Sequence, residues 1–114
     1  MRQFYTATLE RHTKFSGTFA TEPFETAWSS EAIFFVRIET FTGSGSKPDE
    51  TESVDARVQI SADGIHWIDE ETAFEPLHSC GDYFVRVKHF GGWLRLLGHV
   101  NGTAEMTIHL VLKE

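Results

Sequence analysis

The stretch WLRLLGHVNGTAEMTIHLVLK, residues 93–113, decides the architecture. Leu94, Leu96, Met106, Ile108, Leu110 and Leu112 fall on one side of an alternating pattern. Trp93, Arg95, Leu97, Glu105, Thr107, His109 and Lys113 fall on the other. A period of two is that of a β-strand with one face in a dry core. Asn101-Gly102 in the middle reads as a hairpin turn. A two-residue loop would set Leu96 against Thr107 and Leu94 against His109. A three-residue loop, Val100-Asn101-Gly102, instead sets Leu96 against Met106 and Leu94 against Ile108. Burial favours the second register, with Trp93 beside His109 and Arg95 beside Thr107 on the outer face.

The same alternation recurs upstream. IFFVRIETF (residues 33–41), VDARVQI (54–60) and YFVRVKH (83–89) are the clearest further strands. QFYTATL, KFSGTFAT and FETAW are weaker candidates near the start. Helical periodicity of useful length is missing. Seven to nine short strands, each with one wet face, predict an all-β protein: an antiparallel β-sandwich, in jelly-roll form or with a barrel as the alternative. One domain over residues 1–114 suits the length. The polar, glycine-rich run at 42–53 predicts a flexible loop, and residues 70–82 a second connection that is irregular or holds a helical turn.

Composition narrows the function. The chain has 17 acidic and 10 basic side chains, a formal charge of −7. That balance, with only Arg86, Lys88, His89 and Arg95 as a thin basic group, predicts no nucleic-acid partner. No window is apolar enough for a membrane helix and the N-terminus has no signal-peptide core. The expectation is therefore a cytoplasmic product, or one incorporated into a released particle. Cys80 is the single cysteine, so no internal disulfide is available. It reads as half-buried and structural rather than nucleophilic, although His78 and Ser79 precede it.

Chemistry-bearing patterns are sparse. The histidines at 12, 66, 78, 89, 99 and 109 show no ligand spacing, and read as scattered surface or partly buried groups; no metal site and no cofactor are expected. Carboxylate runs, such as Asp69-Glu70-Glu71 and Asp49-Glu50 with Glu52, read as solvated loops; calcium at 49–52 lacks regular oxygen-ligand spacing. No catalytic residues are assigned.

The stretch Ser61-Ala62-Asp63-Gly64-Ile65-His66-Trp67 is a turn signal. Pairing Ile60 with Trp67 puts the indole in the core; pairing Gln59 with Trp67 puts it outside. The first is preferred, and the pattern leaves both open. The segment resembles the Asp-box hairpin, Ser-x-Asp-x-Gly-x-x-Trp, without the residue between Asp63 and Gly64. Similar Ser-x-Asp-Gly-x-x-Trp turns occur in discoidin-like and carbohydrate-binding sandwiches and in phage virion modules. That resemblance implies a non-catalytic β-sandwich whose turn is structural.

Surface recognition is what remains. Trp93, Arg95, Leu97, His99, His109 and Val111 share the outer side of the last segment, a mixture suited to a subunit interface. Phe35 and Phe41, outward by parity, also call for a cover. These features predict a structural or assembly module acting through protein–protein contacts, as a homo-oligomer or with other subunits, in the manner of a phage-like particle. The alternative is a carbohydrate-binding module, with Trp28, Trp67 and Trp93 as stacking platforms and Asp63, Asp69 and Glu71 as polar partners.

Overall fold

A computed structural model describes residues 4–42, 53–87 and 92–114. The flexible loop expected at 42–53, with its acidic run, falls on residues 43–52 apart from its two ends, and these, like residues 1–3 and 88–91, lie outside the described residues. The described residues form seven strands: β1 (Phe4–Ala20), β2 (Phe24–Glu25), β3 (Glu31–Thr42), β4 (Ser53–Ser61), β5 (Ile68–Ala73), β6 (Gly81–Val87) and β7 (Trp93–Lys113). All described pairings are antiparallel. The all-β expectation holds, as a coiled, nearly closed antiparallel sandwich of jelly-roll character. No helix among the described residues is long and apolar enough to cross a membrane.

The expected C-terminal hairpin does not form. Residues 93–113 are one strand, β7, and β1 runs beside it from Phe4 opposite Lys113 to Ala20 opposite Leu97. On its other edge, β7 pairs first with β4, from Ser61 opposite Trp93 to Ser53 opposite Asn101. It then pairs with β3, from Thr42 opposite Thr103 to Glu31 opposite Lys113. The physical reason is degeneracy. A three-residue hairpin loop and an unbroken strand both keep Leu94, Leu96, Met106 and Ile108 on one face, so alternation alone does not separate them. The unbroken strand gains neighbours on both edges over its whole length, and long-range burial outweighs a local turn preference. Gly102 becomes part of a bulge at φ +92°, where the partner on one edge changes from β4 to β3.

That change divides the molecule into two half-sheets. The first contains β5, β4, the start of β7, the end of β1 and β2. The second contains β6, β3, the end of β7 and the start of β1. An extended strand of this length would measure about 65–70 Å, against a longest molecular axis of 51 Å. β7 therefore bends, and its inner face stays concave and dry. Leu94, Leu96, Ala104, Met106, Ile108, Leu110 and Leu112 are fully buried, and Phe34, Val36 and Ile38 on β3 and Val54 and Val58 on β4 complete a single core. Tyr5 of the second half-sheet stacks on Phe24 of the first, with ring centroids 5.9 Å apart, closing one side. On the other side β5 and β6 share a cleft lined by Glu71, Thr72, Ala73, Phe84, Val85 and Arg86.

Three further expectations are corrected. QFYTATL and KFSGTFAT belong to one strand, bulged where the alternation falters. FETAW contributes only Phe24 and Glu25, since Thr26 and Ala27 enter a turn. Residues 68–73, assigned largely to a connection, form β5, whose bulge places Glu71 at φ +79° and hides the regular alternation.

Candidate functional site

The SADGIHW stretch connects β4 to β5 in a register that neither hairpin reading supplied. Ile60 pairs with Ile68, leaving residues 61–67 as a seven-residue connection. One carboxylate organises it. Asp63 Oδ1 accepts from the Ile65 N–H (2.8 Å), the His66 N–H (2.9 Å) and the Ser61 hydroxyl (2.9 Å). Ser61 Oγ accepts in turn from the N–H groups of Asp63 and Gly64, at 3.2 and 2.8 Å. His66 Nδ1 lies 2.8 Å from Asp63 Oδ2. The His66 N–H, followed by its ring and the Ile65 N–H, holds the Asp63 carboxyl far below the usual carboxylate range.

The wide loop carries Trp67 past the core. The indole is half-buried on the outer face, where the Arg95 guanidinium lies 4.4 Å from its ring centroid. This corrects the preferred core placement. Arg95 Nε donates to Gln59 Oε1 at 2.8 Å, and Gln59 Nε2 donates to Asp69 Oδ1 at 2.9 Å. Arg57 Nε donates to the same Asp69 oxygen at 3.0 Å. The amide of Gln59, then Arg57, keeps Asp69 below the ordinary range. Trp93 packs beneath the turn: a Cβ on Gly64 would sit 3.2 Å from its Cε2. Leu97 and His99 follow along β7 and line a half-open groove of about 320 Å³ with Thr18, Asp55 and Arg57. His99 Nδ1 is 3.2 Å from the Thr18 hydroxyl.

His109 and Val111 lie elsewhere, because β7 does not fold back. They sit on the outer face of the second half-sheet, in rows fixed by register. Phe84, Phe35 and His109 form one row across β6, β3 and β7; Arg86, Ile33 and Val111 form the next. Phe35 and Phe84 are 39% and 57% exposed, their rings 6.0 Å apart, and Phe4 at the adjoining strand end is 72% exposed. The six residues expected to form one strip are thus shared between a polar, aromatic face on the first half-sheet and an apolar face on the second. Parity in YFVRV places Phe84 outward, but nothing in the sequence sets it beside Phe35, because that pairing depends on strand register.

Of the glycan candidates, Trp67 and Asp69 come together, with Asp63 at the head of the same loop. Trp28 stands exposed in the turn after β2, and Glu71 occupies the β5 bulge. Cys80 is exposed rather than half-buried.

One cluster has no signal in residue spacing. His12 Nδ1 lies 2.6 Å from Glu39 Oε2, the His12 N–H donates to Thr107 Oγ1 (3.1 Å), and the Thr107 hydroxyl donates to Glu39 Oε1 (2.7 Å). Hydrogen bonds from His12 and then Thr107 lower the Glu39 pKa. Glu105 stands next to them. The partners come from three strands, and only register unites them.

The fold and these faces define a class: an all-β sandwich module with aromatic and apolar outer surfaces. No family model matches the chain. No curated protein matches its sequence. Among solved structures, a chain of the infectious bursal disease virus Gx strain is similar, at 13% identity and a TM-score of 0.56, over 98% of this chain and 32% of that one. A family two carbohydrate esterase from Cellvibrio japonicus aligns at 13% identity and a TM-score of 0.42, over 99% of this chain and 34% of that one. The chain spans about a third of the length of either. The β-sandwich likeness expected from the Ser-x-Asp-Gly-x-x-Trp turn holds at the level of fold.

Proposed function

We propose that this protein is a non-catalytic assembly module, and that it docks through the outer face of its second half-sheet onto another protein subunit, in the first instance a second copy. The observation that carries this reading is the exposed apolar row of Phe35 and Phe84, continued by Ile33, Val111 and Phe4. Large aromatic side chains left in water on a sheet face gain by being covered, and such anchors dominate interface energies. Arg86, beside Ile33, and the Arg37–Asp82 pair at the rim supply polar edges. A sandwich can serve this role with no cleft for chemistry. The fold likeness to part of a chain in a virus structure agrees with such use.

Sedimentation velocity across micromolar concentrations tests the reading. The wild type is expected to associate as its concentration rises, and the Phe35→Glu/Phe84→Glu double variant to remain monomeric with unchanged circular dichroism. A wild-type chain that stays monomeric throughout, and captures no subunit that the double variant loses, defeats it.

A second reading, carbohydrate binding, is supported by Trp67 and Asp69 lying beside Arg57, Gln59 and Arg95 on the other half-sheet. Retention on a glycan array that Trp67→Ala abolishes and the Phe35/Phe84 double variant preserves would transfer the function to that face.

A further inference from the structure

Two bulges interrupt the strands flanking β7, and each holds a metal-ligating side chain. In β1, Glu10 pairs with Ile108 and Thr13 with Met106, so Arg11 and His12 oppose the single residue Thr107. In β3, Ile38 pairs with Met106 and Thr40 with Glu105, which makes Glu39 the extra residue. A bulge breaks the regular alternation and re-aims the side chain it carries. Here both bulges aim across the same short segment of β7. One ligand atom from each of His12, Glu39 and Glu105 lies within 4.8 Å of the others.

We propose that His12, Glu39 and Glu105 bind a divalent transition-metal ion, zinc being the reference case, with coordination positions left for water or a partner's side chain. One imidazole nitrogen and two carboxylate oxygens form a donor set suited to such ions. Tetrahedral zinc with ligand bonds of about 2.0–2.2 Å holds its donor atoms about 3.4 Å apart, within reach of the observed cluster by side-chain adjustment. Two carboxylates and a neutral imidazole carry two negative charges, which a dication cancels; a proton on His12 cancels one. The surrounding contacts also fit. His12 is held at φ +49° with its N–H on Thr107 Oγ1, and the Thr107 hydroxyl occupies Glu39 Oε1, leaving Oε2 turned to His12. Such outer-shell hydrogen bonds orient a ligand. A His12–Glu39 ion pair bridging β1 to β3 would need no Glu105, and this difference provides the test. Lys14, the cross-strand partner of Glu105, places a positive charge nearby that opposes cation binding.

Titrating zinc chloride into the chain by calorimetry, with thermal melting and imidazole NMR in parallel, tests the site. The expected result is one ion per chain, a raised melting temperature and a shift of the His12 ring signals at one equivalent. Glu105→Gln is expected to weaken binding at least about tenfold while the metal-free melting temperature holds. Thr107→Val should weaken it about 10–100-fold, and Lys14→Met should tighten it. No uptake by the wild type at millimolar zinc overturns the proposal. So does equal affinity in wild type, His12→Gln and Glu105→Gln, or uptake that leaves the His12 signals unmoved.

Discussion

Asp63 shows how much one side chain decides. Its carboxylate accepts bonds from two backbone N–H groups and a hydroxyl, and so turns seven residues into a fixed bridge between β4 and β5. Because the folded state holds this carboxyl below its usual range, the unfolded chain takes up the proton first as pH falls. The stabilisation is complete above the unfolded value of about 3.9 and disappears as pH drops through the lower folded value. Comparing urea midpoints of wild type and Asp63→Asn should therefore give a gap that narrows as the pH falls below about 4. A gap unchanged down to pH 2 would show that the charge has no part in the turn. The motif Ser-x-Asp-Gly marked a turn here in advance, but neither its length nor its register. The side on which Trp67 emerges depended on loop length, which no local bond records.

At the scale of the element, β7 is shaped by a residue with no side chain. Gly98 lies on the inner parity of the strand, yet an added Cβ would meet the Asp55 carbonyl oxygen at 2.5 Å and the Phe19 ring at 2.7 Å. Phe19 is its cross-strand partner and fills the space with its own ring. Gly98→Ala should cost about 1–3 kcal/mol by overpacking, measured by urea unfolding. Adding Phe19→Leu is expected to recover only part, since the Asp55 oxygen belongs to the backbone. Full recovery would mean that the ring alone required the glycine. In the sequence, Gly98 is merely a weak point in a strand; the close approach of β1 and β4 on either side gives it its purpose.

For the whole molecule, the long strands β1 and β7 belong to both half-sheets, so neither half has a core of its own. Leu96 in the first and Leu110 in the second are both fully buried in one cluster. Leu96→Ala and Leu110→Ala should each lower stability by about 2–5 kcal/mol. Each should do so within a single transition seen alike by tryptophan fluorescence and far-ultraviolet circular dichroism. Separate transitions for the two probes would mean that the halves unfold independently.

The sequence alone determined which side of each main strand is dry. Transfer of alternate apolar side chains out of water depends only on their spacing, and Leu94, Leu96, Met106, Ile108, Leu110 and Leu112 are all buried as that spacing requires. It also determined the all-β class and the outward placement of Phe35 and Val111, but not that of Phe41, which was expected outward and packs against the core because the bulge at Glu39 shifts the alternation. Only the tertiary structure decided what those strands pair with. A hairpin with the three-residue loop Val100-Asn101-Gly102 and a continuous strand present the same faces, and the choice rests on edges supplied by β1, β3 and β4, distant in the chain. The meeting of His12, Glu39 and Glu105 was likewise decided there, because bulges and register exist only between strands and not within them.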